Sequence, residues 1–111
     1  MKKFLVLYHA PLSAAQQMAS ATPEQAKAGM DAWMTWARKA GSAIVDLGMP
    51  LGESKELKGG SISNGSTKVT GYSILQADSM EAVTMLLKEH PHLRVSDFSI
   101  EVFESLPMPG M

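Results

Sequence analysis

The sequence predicts a small α+β sandwich, a four-stranded antiparallel sheet with two helices on one of its faces. Three observations carry that expectation. Phe4-Leu5-Val6-Leu7-Tyr8 is an unbroken run of strand formers near the N-terminus. Its alternate side chains, Phe4, Val6 and Tyr8 against Leu5 and Leu7, make both faces apolar, as in a central strand covered on both sides. Two helix-start signals, Thr22-x-x-Gln25 and Asp78-x-x-Glu81, divide the remaining chain. Taken with the strand-type segments between them, they give the order β-α-β-β-α-β, the split ferredoxin-like arrangement.

Each element has its own local reason. Ala10 to Ala21 is a small-residue stretch opened by Pro11, with room for a helical turn or two around Leu12 to Met18. Thr22 then caps, Pro23 suits the first helical position, and the helix runs to about Ala40, ending at Gly41. Ala26, Met30, Trp33 or Met34, and Ala37 recur at three- and four-residue steps as its buried stripe, with Trp36 at the margin and partly exposed. Ala43 to Leu47 reads as a second strand closed by Gly48-Met49-Pro50. Glu53 to Lys58 has no clear pattern, and Gly59 to Ser66 reads as a loop. Lys68 to Gln76 is a third strand, with Tyr72 and Ile74 on one face and Ser73 and Leu75 on the other. The second helix, opened at Asp78, carries Ala82, Val83, Leu86 and Leu87 and stops before Pro91. Phe98, Ile100 and Val102 alternate with Ser99, Glu101 and Phe103 in a fourth strand. Residues 1–106 form one domain and 107–111 an extended tail.

Composition narrows the function classes. At 111 residues, 45% apolar and 19% charged, the chain is an ordinary single globular domain. A net charge of −1, with no basic run longer than two residues, argues against nucleic acid as a partner. The absence of cysteine excludes disulfides, thiolate metal sites and a cysteine nucleophile. No segment approaches the roughly 20 apolar residues of a membrane span. Met1-Lys2-Lys3 and the following apolar run resemble a secretory signal only faintly, since the run stops at His9 and Pro11, so a cytoplasmic location is expected. Nine methionines are many for this length and are expected mainly as core fillers. Two helices cover one face of a four-stranded sheet, whereas Phe4 to Tyr8 is apolar on both. A second copy packed sheet to sheet, in a two-fold dimer, is the economical cover.

With that order in place, the chain resembles the YCII-related family of small dimeric α/β-barrel proteins. The likeness rests on Lys3-Phe4-Leu5-Val6-Leu7-Tyr8 and on Trp36-Ala37-Arg38-Lys39-Ala40-Gly41 leading to Leu47-Gly48-Met49-Pro50-Leu51-Gly52. It continues through Gly71-Tyr72-Ser73-Ile74-Leu75-Gln76-Ala77-Asp78-Ser79-Met80-Glu81-Ala82, His90-Pro91-His92-Leu93 and Ile100-Glu101-Val102. The resemblance implies the ferredoxin-like sandwich and its dimeric α/β barrel. The family's YCII branch pairs a first-helix histidine with an aspartate of a D-P-Y element. Here that helix holds no histidine, the aspartate position is His90, and the D-G-P-F element of a sister branch is absent. The dyad chemistry is therefore not carried over.

The topology itself places a site. The ends of the first two strands, the starts of the last two, the start of the first long helix and the end of the second meet at one end of the sandwich. His9, Gly48 to Leu51, the loop 59–66 and His90 to His92 are expected to gather there, beside helix N–H groups that carry a partial positive charge. One reading makes His9 and His92 acid/base or donor groups of a pocket for a small polar or anionic metabolite, with His90, Asp46, Tyr72 and Met49 as ligand-binding residues. The other has His9 simply end a strand and His90 cap a helix. Asp46 either orients a histidine or faces water from an edge strand, and Tyr72 either binds or packs. A three-histidine metal site would need help to point the two rings of His90-Pro91-His92 at one ion, and no metal is expected. No phosphate-loop, dinucleotide or nucleophile-elbow fingerprint is present and no cofactor is expected. The function expected is a small-molecule-binding protein or cofactor-free enzyme. The alternative is a non-catalytic dimeric module acting through protein contacts.

Overall fold

Strand β1, Lys2–His9, lies inside a four-stranded antiparallel sheet in the computed structural model, which describes residues 1–65 and 68–110. Ser66 and Thr67 lie outside the described residues, as does Met111, and with them the last residues of the expected loop and tail. The sheet order is β2 (Ile44–Asp46), β5 (Val69–Ala77), β1, β6 (Ser99–Glu104). Strand β1 pairs with β5 from Lys2↔Ala77 to His9↔Val69, and with β6 from Phe4↔Glu104 to His9↔Ser99. This is the ferredoxin-like α+β arrangement the sequence predicts.

The helices begin where local chemistry says they should. Helix α1, Ala14–Ser20, opens on a capping box in which Gln16 N–H donates to Ser13 Oγ (3.1 Å) and Ser13 N–H to Gln16 Oε1 (2.9 Å). Helix α2, Pro23–Ala40, repeats the motif with Thr22 and Gln25 at 3.1 and 2.9 Å, and ends at Gly41 with φ +55°. Helix α3, Met80–Leu87, is capped by Ser79, one residue later than the Asp78 expected from the sequence; Ala82 N–H donates to Ser79 Oγ at 3.1 Å. A 3-10 turn at Gly41–Ala43 shortens the second strand from the Ala43–Leu47 expected.

Under the helices the core is Phe4, Val6 and Tyr8 of β1, Leu75 of β5, Val83 and Leu87 of α3, and Trp36 of α2, all nearly inaccessible to water. Full burial of such side chains stabilises by about 1.5–3 kcal/mol each. Trp36, placed at the margin by the helical spacing, is the one fully buried residue of α2, while Met30 and Met34 are exposed. The cause is where α2 meets the sheet. Residues 23–31 are all exposed and burial starts at Ala32, so the docked stripe is Trp33, Trp36, Ala37 and Ala40. The methionines are a second correction. All eight described ones are exposed, and none belongs to the core.

The segment without a clear pattern, and most of the expected loop after it, form a ribbon. Strands β3, Lys55–Lys58, and β4, Ser61–Asn64, pair as a hairpin turned at Gly59, whose φ is +58°. All eight strand residues are exposed, so no burial pattern marks them, and Leu57 and Ile62 face each other across the pair. The other sheet face is uncovered: Leu5 is 36% and Phe103 46% exposed, with Leu7, Tyr72 and Ile74 half-buried beside them. No described helix is long and apolar enough to cross a membrane.

Candidate functional site

A cleft of about 480 Å³ opens between α1, the free half of α2 and residues 47–50, with Tyr8, Trp33 and His92 in its wall. One glycine lets its far side close. At Gly48, with φ +83°, any Cβ would collide with the Tyr72 carbonyl oxygen, so only glycine lets residues 47–50 lie on β5. Gly71 has the Met49 carbonyl and the Tyr8 ring 3.5 Å from where its Cβ would sit. The Pro50↔Gly71 bridge and a 3.0 Å bond from Leu51 N–H to Thr70 O fasten the segment down. Met18 of α1, Met30 and Met34 of α2, and Met49 line the opening.

The polar groups beneath it are committed to one another. Ser73 Oγ–H donates to the Leu47 carbonyl at 2.6 Å, so the Tyr8 hydroxyl is the donor in its 2.7 Å bond to Ser73 Oγ. Burial pushes the Tyr8 hydroxyl up to about 12 although the Ser73 bond opposes the shift, and it stays protonated at neutral pH. His92 Nε2–H donates to the His9 carbonyl at 2.9 Å. Burial holds the His92 ring below the usual histidine range, outweighing the support of the His9 and Ser99 carbonyls.

His90 is sealed deeper, against Trp33, Trp36 and Tyr8 at centroid distances of 4.3, 4.5 and 5.0 Å. Its Nδ1 accepts the His92 N–H at 3.0 Å and caps the 3-10 turn Pro91–Arg94. The ring is therefore neutral with its proton on Nε2, which has no hydrogen-bond partner among the described residues. Burial first, then the charges of His92 and Arg94, push its pKa down to about 3.

The sequence-predicted residues thus divide. His92 and Met49 line the cleft, whereas Tyr72 borders it at the carbonyl that meets Gly48, its side chain standing beside Leu7 on the uncovered sheet face. His90 packs just below as the cap of a turn, serving as a neutral acceptor. Asp46 accepts the Gly48 N–H at 2.9 Å and shapes the bend of the wall. His9 ends β1 with its side chain on the uncovered sheet face, 3.0 Å from Glu101 Oε1. The three rings therefore do not converge, and no described group of three or more His, Asp or Glu is placed to hold a metal ion. The sheet-end topology points to Met49, but neither it nor the helical spacing points to Met18, Met30, Met34 or Gly29 as cleft residues. Their signal is the surplus of methionine itself, with Met30 and Met34 set on a helix whose first turns carry no other large apolar residue. A second groove of about 580 Å³ runs between α2 and residues 88–94, and the Lys39–Glu89 ion pair spans its rim at 2.6 Å.

No protein-family model matches the chain, and no curated protein sequence matches it. Among solved structures it is similar to 5-chloro-2-hydroxyhydroquinone dehydrochlorinase from Burkholderia phenoliruptrix, in complex with 2,5-dihydroxybenzoquinone. The TM-score is 0.50 and the identity 13%, over 93% of this chain and 91% of that one. At that identity the likeness is one of fold.

Proposed function

We propose that this chain is a small-molecule-binding protein of the YCII-related kind, acting as a homodimer, with its ligand in the methionine-lined cleft. The observation that carries the reading is the cleft itself. Its volume of about 480 Å³ falls within the range of small-molecule sites, and Gly48 admits the loop that walls it. That a protein of the same fold holds 2,5-dihydroxybenzoquinone supports a small ring compound as the type of ligand. His92 and Met49 are the ligand-facing members of the set expected from the sequence, with His90 and Asp46 supporting them from behind and the Tyr72 side chain on the other sheet face. Catalysis without a cofactor would draw on His92 for proton transfer, with His9 beyond reach of the cleft on the other sheet face. The functional unit is the domain over residues 1–106, with 107–111 as its tail.

The uncovered sheet face supports the homodimer, because Leu5 and Phe103 stand exposed on it. The second reading, a non-catalytic module acting through protein contacts, is favoured by one feature, the exposed Leu57–Ile62 pair of the hairpin.

A thermal-shift screen of the intact protein against phenols, quinones and small carboxylic acids tests the ligand reading. A ligand at a hundred times its dissociation constant adds about 2.7 kcal/mol, enough to raise the midpoint of a domain this size by several degrees. At least one compound should do so, and the gain should be lost in Gly29→Phe. That change fills the cleft from a helix position where a Cβ would meet no atom within 4 Å. A panel with no response moves the assignment to the hairpin and protein partners.

A further inference from the structure

We infer that the cleft selects uncharged, largely apolar ring compounds and discriminates against anions of the same shape. The inference rests on the cleft being the ligand site and adds the chemical class it accepts. Its wall contains no lysine, arginine, aspartate or glutamate, so an anion entering it meets no counter-charge. The anionic metabolite expected from the sequence therefore finds no charged partner in this wall.

Much of the buried hydrogen-bond capacity beneath the cleft is also committed internally. Tyr8 donates to Ser73, Thr70 Oγ1–H to the Tyr8 carbonyl, and His92 Nε2–H to the His9 carbonyl. Gln17 Nε2 donates to Leu12 O, and Gln25 Oε1 accepts the Thr22 N–H. A carboxylate or sulfonate would give up hydration here for neutral donors alone, such as the Gln25 Nε2 amide and the Trp33 indole N–H, which costs more than the apolar contact of a small ring returns. A neutral ring escapes that cost. It gains dispersion contact with Trp33 and with four thioethers whose unbranched, polarizable chains adapt to its outline. Methionine in place of leucine at four points of the rim makes the cleft tolerant of shape, while the missing charges make it selective for polarity.

A matched pair of probes tests this on the intact protein. N-phenyl-1-naphthylamine is neutral, and 8-anilino-1-naphthalenesulfonate carries the same aromatic frame with a sulfonate. Energy transfer from the two tryptophans to either probe reports binding to the protein, and Gly29→Phe reports whether that binding is in the cleft. The neutral probe should bind at least about tenfold more tightly. Met34→Lys, which sets a cation in the wall, should narrow that ratio by improving the anion, and Gly29→Phe should abolish both signals while the circular dichroism stays native. Equal or tighter binding of the sulfonate that Gly29→Phe removes would overturn the selectivity and leave the cleft as the site. Failure of both probes, or binding that Gly29→Phe does not touch, would overturn the site and the selectivity together.

Discussion

His90 shows how much one residue can hold at this scale. Its Nδ1 caps a turn, its ring fills the space among Tyr8, Trp33 and Trp36, and it does both only while neutral. The sign of the pH effect follows. With a folded pKa of about 3, below the 6.5 of an ordinary histidine, the unfolded chain takes up a proton that the folded one refuses. Stability is complete above about pH 6.5 and falls as the pH drops towards 3, by up to about 1.4 kcal/mol per unit from this residue. Urea unfolding between pH 7 and 5 should show that slope. In His90→Asn, whose side-chain oxygen can still accept the His92 N–H, it should flatten even though the smaller side chain lowers stability throughout. An unchanged slope would mean that His90 takes up its proton in the folded state. None of this is visible in His90-Pro91-His92 as a string, because the aromatic enclosure comes from residues more than fifty positions away.

Among elements, the parts legible in the sequence are those written in adjacent residues. Thr22-Pro23-x-Gln25 starts α2 where it should, because a capping box needs four residues and no tertiary partner. Spacing finds Trp33 and Ala37 of the docked stripe but extends it to the exposed Ala26 and Met30, because it gives the period of a helix face and not how far along the sheet the helix lies. Trp36, not Met30, reaches the core, and the overhang so created is one wall of the cleft. The hairpin escapes a sequence reading for a related reason, since strands exposed on both faces have no alternation to read. Two glycines separate these effects. Gly29→Ala on the overhang should stabilise by about 1 kcal/mol, from helix propensity alone. Gly48→Ala should cost more than about 2 kcal/mol and weaken ligand binding, because both its φ and the Tyr72 carbonyl oppose a side chain. Equal thermal midpoints for the two variants would contradict this role of the cleft wall.

On the scale of the whole molecule the shape is a slab, 49 × 44 × 20 Å, one helix layer on one sheet. Its radius of gyration, 15.5 Å, exceeds the ~13 Å of a compact domain of this length. Both the open face and the isolated ribbon contribute, and neither is a comfortable end state for a lone chain in water. Sedimentation should give twice the chain mass, and Phe103→Glu in the open face should return it to one chain; a native protein that runs as a monomer would remove the dimer from the proposal. The placement of sulfur has a consequence of another kind. With no cysteine to react first and no described methionine in the core, mild peroxide would reach Met18, Met30, Met34 and Met49 as ordinary surface thioethers. Each sulfoxide would put a strong dipole where the wall now offers a soft apolar atom. Oxidation should therefore close the cleft to neutral rings while the fold melts near its usual temperature, and reduction by methionine sulfoxide reductases should reopen it.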